Sequence, residues 1–184
     1  MPPTPTDPST AAPSRATLKD MLGFFYPIHY RVGMELEKRM CQGRVTRQQA
    51  AIIWLIESEA GGEGWIARKV VELALRDWFE TSKSHVSQLL RDLSSPPLSL
   101  VAQVDNPASG REKLLALTDE GRVFFETMVT AGVDYFTQYF AELSEQEMRW
   151  GIRFLALAFL PPAIADKSPR RAPPLPSPPS RIGG

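Results

Sequence analysis

One cysteine and two histidines stand in 184 residues. A lone Cys41 excludes an internal disulfide framework and any multi-cysteine metal site. His29 and His85 lie far apart and form no HExxH-type pair, so no metal or other cofactor is expected. Net charge is absent too. The 21 Lys and Arg balance the 21 Asp and Glu, so no global basic field draws the chain onto nucleic acid, and any such binding rests on local charge. Long apolar runs are missing. The most apolar stretch, FLALAFLPPAIA at 154–165, is too short to cross a bilayer and holds two prolines. The N-terminus MPPTPTDPSTAAPS lacks the apolar segment of a signal peptide. A soluble, cytoplasmic protein with no membrane partner is expected. No nucleophile–base pair or phosphate loop has the spacing that catalysis needs, so the chain reads as a non-enzyme.

Proline, by contrast, is plentiful, and it crowds the two ends. Residues 1–16 and 161–184 are too poor in apolar side chains to offset the entropy of ordering, and both read as disordered tails. The second holds Arg170, Pro173 and Pro176 in an RxxPxxP pattern, a polyproline ligand type that arises easily in any Pro-rich tail. Residues 17–160 read as one domain.

Its pattern is mostly helical. A first helix is expected over about 18–40, with Pro27 as a kink or a second start. Thr46 to Gln49 fits a capping box opening a second helix, and AGGEG at 60–64 ends it. A third helix is read from Trp65, with Ile66, Val70 and Leu73 at helical spacing. The next, 82–93, buries Val86, Leu89, Leu90 and Leu93 at helical spacing. LSLVAQV at 98–104 and EKLLAL at 112–117 read as two strands around an Asn106–Gly110 turn. Thr118 caps a long helix, and Ser144 to Glu147 is a second capping box opening the last one.

A helix, a tight turn, a second helix and a two-stranded ribbon make a winged helix-turn-helix. The outer face of 82–93 carries Ser82, Lys83, Ser84, His85, Ser87, Gln88 and Arg91, with no acid before Asp92. Small hydroxyls allow close approach to a groove wall, and Gln and Arg can bond base edges bidentately. Arg111 and Lys113 sit beside the ribbon's tip, where they can meet phosphate or a minor groove. These nine residues are the expected contacts to double-stranded DNA. Over 65–122, acids equal cations in number, so a basic footprint must come from the way side chains face.

Three stretches, in this order, resemble the MarR family of bacterial transcription regulators. "VTRQQ" is similar to its LTxxQ, "SKSHVSQLLRDL" to its recognition helix, and "SGREKLLALTDEG" to its wing signature DxRxxxxxLTxxG, with Arg111, Leu117, Thr118 and Gly121 in register. The wing acid falls on Ser109, and SSPPLS replaces the usual entry into the wing. The resemblance implies a homodimer, joined through helices within 17–44 and 123–160, reading a pseudo-palindromic site with the 65–122 module. Independently, Met148, Ile152, Leu155 and Phe159 form one apolar stripe on the last helix, while Trp150, Phe154 and Leu157 lie off it. That is more apolar surface than one core needs. The expected fold is thus mostly α, with a two-stranded β-wing and long terminal dimerisation helices. A small-molecule effector would refine this reading, with His29, Tyr30, Trp54 and Trp65 as its pocket. The competing reading is a winged-helix module for protein–protein contact, as in a partner subunit or antirepressor, without sequence-specific DNA binding. Cys41 reads as an incidental thiol at a helix end.

Overall fold

The computed structural model describes residues 12–60 and 64–159, with every side chain among them except that of Arg111. The Pro-rich pattern at 170–176 and most of both expected tails lie outside the described residues. The first helix begins earlier than expected. Ser14 caps a helix, its Oγ accepting from the Thr17 N–H (3.2 Å), and α1 runs Arg15–Tyr26.

Pro27 neither breaks nor restarts the helix. The chain passes into a π-helical stretch, Pro27–Gly33, and continues as α2, Met34–Cys41. Met34 N–H bonds to His29 O, five residues back, the wider spacing of a π turn. Helix α3 spans Arg47–Glu59. Its capping box is formed: Gln49 N–H donates to Thr46 Oγ1 (3.2 Å) and Thr46 N–H to Gln49 Oε1 (2.9 Å).

The third helix departs from its sequence reading. Ile66–Ala67 is a short strand, β1, and α4 runs Arg68–Phe79. Val71 and Leu75 face the core, whereas Val70 and Leu73 are exposed. A helix with apolar residues on two sides leaves its inner face ambiguous, and the wing strand that β1 pairs with settles it. Helix α5, Lys83–Ser94, buries the four expected residues.

Strands β2 (Val101–Asn106) and β3 (Ser109–Leu117) pair antiparallel, and β1 adds to the other side of β3. Both wing strands reach further toward the tip than expected, which leaves Pro107 and Ala108 between them. Register slips near the tip: Asp105 faces Lys113, but Asn106 faces Ser109. One step on β2 therefore spans Gly110, Arg111 and Glu112 on β3, a bulge of the kind that re-aims side chains.

Helix α6 runs Asp119–Tyr139 and α7 Glu145–Phe159. Thr118 caps the first, accepting from Gly121 N–H (2.9 Å). Ser144 and Glu147 close the box of the second: Ser144 N–H donates to Glu147 Oε2 (2.8 Å) and Glu147 N–H to Ser144 Oγ (3.3 Å). The core lies between α3, α4, α5, the sheet and the first half of α6, with Ile52, Ile56, Leu75, Leu90, Leu115 and Met128 fully enclosed. Helices α1 and α7 bury none of their described residues. No helix among the described residues is long and apolar enough to cross a membrane.

Candidate nucleic-acid interface

Four apolar residues of α5 pin the helix to the core, so its other side faces out. Ser82, the N-cap, accepts from His85 N–H (3.2 Å). Its hydroxyl is thereby engaged in starting the helix. Lys83 and Ser84 are exposed, with Lys83 Nζ 4.0 Å from Glu72. The His85 ring meets Gln48 Oε1 at the start of α3 (2.8 Å). Further along, Arg91 donates to Gln88 Oε1 (2.7 Å) and Gln88 donates to Asp92 Oδ1 (2.6 Å). Gln88 and Arg91 are thus neighbours on one exposed face, as their spacing predicts.

Ser87 differs from the others. It is half-buried, and its Oγ accepts from Arg68 Nη2 (2.8 Å). This tie crosses from α5 to α4, and nothing in the helical pattern of either segment reveals it.

On the wing, Lys113 pairs with Asp105 across the ladder (3.0 Å). The acid of the turn therefore holds Lys113. The backbone of Arg111 lies within the bulge, and its side chain is outside the described residues. Asn106 Oδ1 accepts from Ala108 N–H (3.0 Å), which tightens the tip.

The wing is fixed to α6 by a close approach. Thr118 N–H donates to Leu100 O (3.0 Å), and Thr118 Oγ1–H to Ser99 O (2.8 Å). Gly121 stands against the same Leu100 carbonyl, where an added Cβ would collide.

A cleft of about 480 Å³ separates α4, the start of α5 and β3. Arg68, Lys69, Arg76, Lys83 and Lys113 line it together with Glu72 and Glu112. The local excess of cations that overall composition conceals is found here. The sequence does not mark Lys69 and Arg76, which sit among acids on a helix that carries no motif.

The four aromatic pocket candidates do not converge within one chain. The His29 and Tyr30 rings touch edge-on (4.6 Å between centroids) on an exposed stretch. Trp54 packs on Phe125 and stands between two apolar clefts, of about 210 and 350 Å³. Trp65 borders a separate hollow of about 390 Å³ beside Thr118 and Arg122. Cys41 is buried, and desolvation, then the nearby Glu37 carboxylate, push its thiol pKa up. Among the described residues no group of His, Cys, Asp and Glu is placed to hold a metal.

A three-helix core with a helix presented outward and a β-ribbon beside it is a winged helix. Residues 45–121 match the family described as winged helix DNA-binding domain. The fold is similar to that of MarR-type regulators of known structure. It is similar to a MarR-family transcriptional regulator from Rhodococcus sp. RHA1, at 19% identity and a TM-score of 0.53, over 79% of this chain and 97% of that one. Similar too is wild-type MarR from E. coli, at 17% identity and a TM-score of 0.53, over 83% and 100%. A MepR mutant from S. aureus superposes at 18% identity with a TM-score of 0.57, over 79% and 96%. No curated protein matches the sequence.

Proposed function

We propose that this chain is a homodimeric, sequence-specific transcription regulator of the MarR type, reading the major groove with α5 and touching the minor groove or backbone with the wing. One observation carries the reading: the exposed face of α5 offers Lys83, Ser84, Gln88 and Arg91 with no acid before Asp92. Arg91 occupies the Gln88 carbonyl oxygen, and Asp92 takes one amide N–H. The pair thus turns N–H donors outward, a match for guanine O6 and N7 rather than for the donor–acceptor pattern of adenine. Lys69 and Arg76, with Lys83 and Lys113, would meet phosphates flanking the groove.

Dimerisation through α1 and α7 is favoured by the state of those helices. Leu22, Phe25, Phe154, Leu157 and Phe159 are all exposed in one chain, an arrangement a soluble monomer avoids. Two copies would present two reading helices to a pseudo-palindrome. The apolar cleft beside Trp54, lined by Leu36, Met40, Val129 and Phe136, is where one chain best fits a small apolar effector.

The test is enrichment of bound fragments from a random duplex library by the full chain. A recovered pseudo-palindrome with G·C pairs in each half-site is expected. Recovery of no sequence would favour the protein-contact reading instead.

A further inference from the structure

Apolar burial holds α5 in place but is non-directional. Leu residues tolerate a helix turning slightly about its axis, and such a turn would redirect Ser84, Gln88 and Arg91. Something directional must set that rotation. The half-buried polar chain behind the helix has the required form.

Arg68 is the first residue of α4, and its side chain is 24% exposed. Nε donates to Glu72 Oε1 (2.7 Å), Nη2 to Ser87 Oγ (2.8 Å) and Nη1 to Gln103 Oε1 (3.4 Å). Gln103, on β2, passes the connection on: its Nε2 donates to Ser94 Oγ (2.9 Å), and the Ser94 hydroxyl to Leu90 O (2.8 Å). One guanidinium thereby ties α4 to α5 at Ser87, and through Gln103 to the wing and to the far end of α5. A planar fork suits this, since its donors leave in fixed directions, whereas a lysine ammonium would supply one mobile point.

The same geometry argues against a DNA contact by Arg68. Each of its three nitrogens already donates inward, and Glu72 neutralises its charge at close range. Ser87, correspondingly, is an internal acceptor more than a reader of bases.

We propose that Arg68 is the positioning residue of the reading surface: it sets the rotation of α5 relative to the wing through Ser87 and Gln103, without touching DNA. This rests on the reading of the chain as a sequence-specific DNA binder.

The experiment compares full-chain variants on two probes: the duplex most enriched by the unaltered protein, and a scrambled duplex of equal composition. Arg68→Ala and the charge-neutral Gln103→Ala should each weaken binding to the preferred duplex roughly tenfold, about the weight of one base contact. Affinity for the scrambled duplex and the salt slope should stay unchanged. Loss of folded protein would lower both affinities together, so the ratio between probes separates positioning from general destabilisation. Adding Ser87→Ala to Arg68→Ala should cost nothing further, because the partner is already gone. A salt slope flattened by about one unit in Arg68→Ala would mean that Arg68 meets a phosphate, and the proposal falls. It also falls if Arg68→Ala relaxes preference at a single base, or leaves preferred binding intact. Should Arg68→Ala not fold, Gln103→Ala and Ser87→Ala decide the matter on the same criteria. If the unaltered protein enriches no duplex, the underlying DNA-binding reading fails, and this proposal with it. An enriched duplex bound equally well by the variants overturns the role of Arg68 alone.

Discussion

Replacing Gly121 with alanine tests how the wing is joined to the rest of the molecule. The new Cβ would run into Leu100 O, with Leu100 C at 3.0 Å and Leu117 Cβ at 3.3 Å. All but the last are backbone atoms, which cannot swing aside as a side-chain end can. Leu100 is held from two directions: its N–H donates to Leu93 O (2.7 Å), and its carbonyl accepts from Thr118 N–H (3.0 Å). Relief therefore means moving the β2 entry away from α6. Overpacking of this kind costs about 1–3 kcal/mol. The shift also breaks the Thr118 N–H bond to that carbonyl, which adds about 1 kcal/mol. Alanine's better helix propensity returns about 1 kcal/mol, so a net loss of about 1–3 kcal/mol is expected. Urea unfolding of Gly121→Ala, analysed with an unchanged m-value, measures it. A stability within about 0.5 kcal/mol of the parent, the ordinary range for a neutral surface change, would refute the claim that this close approach locks the wing.

Leu22→Glu and Leu157→Glu, both at exposed sites of helices that bury nothing, should yield folded monomers by sedimentation, whereas dimers that persist would displace the interface. Gln88→Ala should cost about 1–3 kcal/mol on a preferred duplex and little on random DNA; equal losses on both would mean that Gln88 reads no base. Arg111→Ala should weaken DNA binding and flatten the salt slope by about one unit if its contact is to phosphate. A thermal shift in that variant with DNA affinity unaltered would assign Arg111 to holding the turn. Cys41, buried and with its thiol pKa raised by desolvation, should resist alkylation near neutral pH until the protein is unfolded, and fast labelling of the native protein would contradict its placement.

What could be read from the sequence was what local chemistry decides. The boxes at Thr46 and Ser144 and the cap at Thr118 depend on residues three apart, and all three formed. The buried face of α5 followed from one unambiguous stripe. Readings failed where distant partners decide. Two-residue β1 exists only because β3 offers an edge, and without it Ile66 looked like the first turn of a helix. Helix α4 has apolar residues on two sides, and only packing selects Val71 and Leu75. The wing bulge arises from cross-strand register, invisible in either strand alone. At the site, the exposed positions of Gln88 and Arg91 came from helical period. The diversion of Ser87 to Arg68, across 19 positions, did not.

The π-helical stretch at Pro27–Gly33 has a consequence for how one long segment serves two masters. A π turn takes in more residues than an α turn, so the angular phase of the sequence is offset between its two ends. A stripe that would otherwise run straight down one side is split. Below the offset, Leu36 and Met40 lie against Gly132 of α6 within the same chain. Above it, Leu18, Leu22 and Phe25 of α1 point away from their own core. The π-helical stretch thus works as a phase plate between the two halves.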